Sequence, residues 1–188
     1  MECPKDRTVT LSDGFLSGDL AVKHCPECQG NWIPPDEYDR WKISQEQREV
    51  PPTQVAREMA DNFVPARQDM KAGLCPECKR YLSRAKVMVR TPFYVERCPS
   101  CGGIWCDRGE WELLEELGLH DTLEQLFSSD WQAQVRSVVH ADKERLATID
   151  KLGPEVAEMV FELAEVLENH PNGDFGVAYL MRRFDKPQ

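Results

Sequence analysis

The chain has 188 residues, 41% hydrophobic and 30% charged, with eight cysteines and a formal net charge of −10. This length fits one compact domain or two small ones, and the negative mean hydropathy without a long apolar run excludes a membrane-spanning protein. The opening MECPKDRT has no apolar signal core, so a cytoplasmic location is expected, where eight cysteines point to metal ligation before disulfides.

In chain order, the first motif is C3-P-K-D6, followed 22 residues on by C25-P-E-C28-Q-G-N-W32. Pro34 and Pro35 then precede Asp36, Glu37, Tyr38 and Trp41, which reads as a helix with proline in its tolerated first turn. Residues 43–74, with Pro51, Pro52 and Pro65, read as a linker carrying one short helix around 53–63.

The second motif repeats the first with better ligands. C75-P-E-C78 stands 23 residues before C98-P-S-C101-G-G-I-W105. Laid without gaps, residues 25–41 and 98–114 match at Cys, Pro, Cys, Gly, Trp and Glu. Between the second pair of turns, Val87 with Val89 on one face and Phe93, Val95 and Arg97 on another, across a Thr91-Pro92 break, read as a β-hairpin.

Two C-x-x-C turns joined by a hairpin of about twenty residues make a zinc ribbon, since four thiolates satisfy tetrahedral Zn2+ and leave no open position. Cys75, Cys78, Cys98 and Cys101 are therefore expected to hold one structural ion. Cys3, Cys25 and Cys28 are expected to hold a second. Its fourth ligand is Asp6, which stands in the motif position, with His24 or a water-completed position as the alternatives. Trp32 and Trp105 are read as anchors of the small ribbon cores, and Cys106, aligned with Ile33, as a buried apolar residue.

Asp107 and Glu110 make a D-x-x-E start for a helix through Trp111, Leu114 and Leu117, stopped at Gly118. Downstream the pattern is helical: a start at Asp121, a run from Asp130 with Trp131, Val135, Val138 and Val139 on one side, and a helix opened by Gly153-Pro154. That helix sets Val156, Val160, Leu163 and Leu167 inward and Glu155, Glu158, Glu162 and Glu165 outward. A turn from Asn169 leads to a last amphipathic helix ending at Arg182 and Arg183.

The paired CPEC and CPSCGGIWCDRGEWELL resemble the bacterial zinc-binding family named for transcription factor TFIIB, whose pattern is C-P-x-C, a hairpin, then C-P-x-C-x-G-x-W-L-D-x-G-E-L. The resemblance is specific over 75–114 and partial over 3–41. It implies a zinc ribbon in each copy, and a link to transcription by analogy.

The expected fold is α+β: a degenerate ribbon with a short helix (1–42), a linker (43–74), a second ribbon with its covering helix (75–118) and an acidic helical tail (119–188). Charge is uneven, −4 over residues 1–74, +3 over 75–110 and −9 over 111–188. The expected function is a non-catalytic adaptor or regulator that contacts a protein partner or a second copy of itself. One alternative is nucleic-acid binding through the basic ribbon, where Arg80, Tyr81, Arg84, Lys86, Arg90, Phe93, Tyr94 and Arg97 interleave cations with aromatics, although the acidic tail opposes it. A zinc-containing thiol chaperone or disulfide-exchange factor is the other, without the strand-then-helix context of a thioredoxin site. No nucleotide loop, serine nucleophile motif or catalytic carboxylate pair is present.

Overall fold

The computed structural model describes residues 1–45, 50–57 and 63–184. The chain divides into two compact units, residues 1–139 and 140–188. The fold class is α+β, as the two periodicities in the sequence require.

In the first unit each copy contributes three strands. The first gives β1 (Ser12–Leu16), β2 (Leu20–His24) and β3 (Asn31–Ile33), followed by helix α1 (Pro35–Ile43). After α2 (Pro52–Arg57), the second gives β4 (Ser83–Val87), β5 (Phe93–Arg97), β6 (Ile104–Cys106) and helix α3 (Glu110–Glu116). Of the linker helix expected around 53–63, residues 53–57 lie in α2 and residues 58–62 lie outside the described residues.

The two copies are not separate ribbons. All six strands form one antiparallel sheet in the order β1-β2-β3-β6-β5-β4, closed at its centre by β3 against β6. There Trp32 lies opposite Trp105, Asn31 opposite Cys106 and Ile33 opposite Ile104. Because Trp32 and Trp105 are equivalent in the repeat, the copies meet about a local two-fold, as two subunits meet in an isologous dimer. A three-stranded ribbon would leave a bare edge at β3 or β6; pairing the two edges satisfies both rows of backbone groups.

In β4–β5 the register sets Val87 opposite Phe93 and Ala85 opposite Val95. Val87, Phe93 and Val95 therefore share one buried face, where the sequence reading divided them between two, because directly opposed residues in an antiparallel pair point the same way.

That face, with Val22, Ile33, Ile104 and Cys106, is covered by helices and forms the main core. Tyr38 and Trp41 from α1 and Trp111 and Leu114 from α3 pack on it, with Trp41 edge-on to Trp111 at 5.7 Å. α4 (Leu123–Leu126) and the start of α5 (Ser129–Leu152) complete it with Leu119, Leu123, Leu126, Trp131 and Val135. Burying each such side chain contributes about 1.5–3 kcal/mol, so these residues belong to the sheet unit. The unit accordingly ends at Val139, later than the boundary read at residue 118. Asp121 does not cap α4, whose N-cap is Thr122.

In the second unit, α6 (Pro154–Glu168) turns into α7 (Gly173–Phe184). Gly173 lies against the Leu167 carbonyl, where an added Cβ would stand 1.8 Å from the oxygen, so only glycine permits so close a turn. Arg145 pairs with Glu158 at 3.0 Å and stacks over Phe161. Val156, Val160 and Leu163, read as inward-facing, are each more than 40% exposed, and Val160 and Leu163 line an open groove against α7.

Candidate metal centres

Three of the four Cys-Pro turns share one backbone form. In each, the amide one position past the second cysteine is pinned by the first: Gln29, Lys79 and Gly102 donate N–H to the carbonyls of Cys25, Cys75 and Cys98, all at 2.9 Å. These three residues are left-handed, with φ of 60°, 56° and 85°. The first cysteine's own N–H returns to Gly30, Arg80 or Gly103 at 2.8–2.9 Å. This tight knuckle turns both thiols of a C-x-x-C toward one point.

The second centre has two such knuckles. The sulfurs of Cys75, Cys78, Cys98 and Cys101 lie within 4.8 Å of one another, with Cys75 and Cys101 3.7 Å apart. A tetrahedral zinc with Zn–S bonds of about 2.3 Å needs sulfur–sulfur edges of about 3.8 Å, so this set fits the ion. Backbone amides aim at the sulfurs: Cys78 N–H donates to Cys75 Sγ at 3.2 Å and Ser100 N–H to Cys98 Sγ at 3.4 Å. Burial opposes ionisation of Cys98, but the amides of Cys101 and Ser100 and neighbouring thiols outweigh it and bring the group to about 7.

Among the described residues the first centre gathers Cys3, Cys25 and Cys28 and no fourth donor, again within 4.8 Å, with Cys3 and Cys28 3.6 Å apart. The Cys28 thiol and the amides of Asp6 and Lys5 lower Cys3 to about 6 against its burial. Asp6, the expected fourth ligand, does not join them. Its carboxylate accepts from Thr8 N–H at 3.1 Å and Thr8 Oγ1 at 2.8 Å, an Asx turn that holds the side chain to its own loop. The loop is also wider than a knuckle: Cys3 N–H closes on Val9, one residue further than elsewhere. His24 is likewise outside, its Nδ1 3.0 Å from Asn31 Oδ1.

These centres, Trp32 and Trp105 share one face of the sheet, opposite the helices. Each indole reaches across the local two-fold. A Cβ on Gly103 would stand 2.2 Å from Trp32 Cζ2, and one on Gly30 would stand 2.2 Å from Trp105 Cζ2. The tryptophans thus join the two ribbons, and do not merely anchor their own. The residue after the proline of each copy's first Cys-Pro turn completes the exchange. Glu77 accepts from Trp32 Nε1 at 3.0 Å. Its counterpart Lys5 cannot accept, so Asp107 intervenes, accepting from Trp105 Nε1 at 2.8 Å and standing 3.5 Å from Lys5 Nζ.

Lys5 is the residue beside the centres that sequence reasoning missed. Its side chain is buried, and its ammonium lies 2.7 Å from Glu96 and donates to the carbonyls of Lys71 at 2.7 Å and Gln68 at 3.3 Å. Arg84 completes the cluster beside Glu96 and Asp69. Burial pushes Glu96 up to about 7, with Lys5 opposing it. Asp69, Asp107 and Glu110 form a buried carboxylate triad within 4.8 Å, in which burial and then Asp107 push Glu110 well above the usual carboxylate range. Lys5 and Arg84 supply the cations there. The only sequence signal was that Lys5 occupies the place of Glu77 in the repeat.

Of the basic-ribbon residues, Arg80 and Arg90 are exposed and Lys86 is half-buried. Arg84 is turned into the Asp69–Glu96 cluster and stacks on Tyr94 at 3.9 Å, so it is not presented to a phosphate. Cys106 is buried in the main core, where burial raises its thiol pKa.

The family model described as transcription factor zinc-finger, a TFIIB-type zinc ribbon, matches residues 2–44 and 74–116. The chain carries two tandem TFIIB-type zinc ribbons. Each match takes in one cysteine set with its hairpin and helix, and residues beyond 116 lie outside both. No curated protein and no solved structure matches the chain. Among the described residues no helix is long and apolar enough to cross a membrane.

Proposed function

We propose that the protein is a non-catalytic adaptor in which zinc holds the fused ribbons as a rigid platform and the helical unit docks a protein partner. The observation that carries this reading is the exposed apolar lining of the groove between α6 and α7. Val160, Leu163, Val177, Leu180 and Phe184 are 37–85% exposed. Between the helices runs a groove of about 830 Å³ lined by Val160, Leu163, Leu167, Val177, Leu180 and Phe184. Contiguous apolar surface of this kind marks an interaction site.

Glu168 and Asp174 in the groove's lining favour an amphipathic helix with basic edges as the occupant, read by its apolar anchors. The four-thiolate ribbon has no coordination position for a substrate, so its ion acts on folding.

The test is capture from the native cell with the zinc-loaded chain and with a Leu163→Asp, Leu180→Asp variant that keeps the parent's circular dichroism and zinc content. A protein retained by the parent and lost from the variant supports docking. Equal capture by both, or retention of RNA in place of protein, overturns it.

A further inference from the structure

We propose that the first metal centre holds its ion through Cys3, Cys25 and Cys28 alone and takes its fourth donor from a low-molecular-weight thiol. This goes beyond the adaptor reading and does not depend on it, because the helical unit plays no part.

Three observations carry it. The three sulfurs are gathered as tightly as in the second centre, with 3.6 Å between Cys3 and Cys28, so a tetrahedral ion can be seated on them. Among the described residues neither nearby candidate is placed to complete it: Asp6 is held by both donors of Thr8 in a loop one residue wider than the other three, and His24 is held by Asn31. Finally, Cys28 is partly exposed while Cys3 and Cys25 are buried, so the centre reaches the surface on one side.

Three thiolates make the ion a soft-ligand site, which selects a sulfur donor over an oxygen donor of equal charge. The thiol enters as thiolate: its S–H bond breaks, the proton passes to bulk water, a metal–sulfur bond forms and any water on the ion leaves. No oxidation state changes. The second centre, with four cysteines, has no equivalent position.

The experiment uses the full chain loaded with Co2+, whose sulfur-to-metal charge-transfer absorption rises with the number of bound thiolates, and titrates it with 2-mercaptoethanol. The expected result is a saturable rise equal to about one third of the first centre's own intensity, one thiolate added to three. Asp6→Ala and His24→Ala should show the parent's starting spectrum and the same rise. The inference is overturned if thiol adds no intensity, or if either substitution changes the starting spectrum, which would make that residue the fourth ligand.

Discussion

Trp32 and Trp105 face each other across the β3–β6 pair, and each lies on the glycine that precedes the other's strand. This reciprocity turns two copies of a small ribbon, each too small for a large core, into one six-stranded sheet with a cluster of cysteines at either side of a shared aromatic seam.

Gly30→Ala and Gly103→Ala should each destabilise the sheet unit, because the new methyl meets an indole carbon at 2.2 Å within a backbone pairing that cannot slide. A loss of about 1–3 kcal/mol is expected from overpacking. Shrinking the opposing ring should restore part of it, so Gly103→Ala with Trp32→Phe should couple while Gly103→Ala with Trp105→Phe should not. Urea unfolding of the two double-mutant cycles checks this.

Lys5→Met keeps the length of the side chain and removes the cation between Glu96 and Asp107. Breaking a buried pair from one side costs about 3–5 kcal/mol, so this single change in a zinc loop should loosen the far ribbon as well. Hydrogen exchange at the amides of β5 and β6 should rise in the variant. Unchanged exchange there would show that Lys5 serves its own loop only.

The raised pKa of Glu110 has a defined sign. A carboxyl whose folded value lies above its unfolded one contributes stability that is fully present below the unfolded value and is lost as pH rises through the folded value. Its Oε2 accepts from Asp107 N–H at 2.8 Å, and its Oε1 has no hydrogen-bond partner in the structure. Glu110→Gln supplies a neutral amide at that place and removes the titration. The variant should therefore gain stability relative to the parent as pH rises above the ordinary carboxylate range, with zinc in excess. Parallel curves for the two proteins would contradict the assignment.

Cys106 sits one residue beyond Trp105 and, as its alignment with Ile33 implied, lies buried on the helix-covered face, away from the four ligands. Cys106→Ser should cost about 1–3 kcal/mol for burying a hydroxyl, and Cys106→Ala less. Neither should change zinc content, measured by elemental analysis of the purified chain.

The repeat itself, the four-cysteine set and the β4–β5 hairpin were legible because each rests on local spacing. The helix after Trp105 was legible too, and Glu110 does reach back to Asp107 N–H as its D-x-x-E spacing implies, although the helix begins only at Glu110 after a left-handed Gly109. Asp6 misled because position in a motif does not report loop width, and Thr8 two residues on was a competing donor. The fusion through Trp32 and Trp105 could not be read, since three-residue strands carry too little pattern to announce a partner edge. The Lys5 cluster was hidden for a related reason: its members come from five separated stretches of chain, and burial of charge is decided by tertiary packing. The exposure of Leu163 was missed because an amphipathic stripe states that a face wants cover, not that the chain provides it.

The central claim is that metal on two cysteine sets holds the fused sheet together. Its most direct measurement is zinc bound per chain, followed with circular dichroism and melting as a chelator removes it. Two zinc ions per chain are expected, with the sheet unfolding once the four-cysteine site is emptied, because the binding energy of a structural zinc is folding energy. A chain that lost all its zinc and kept its spectrum and melting temperature would contradict the account.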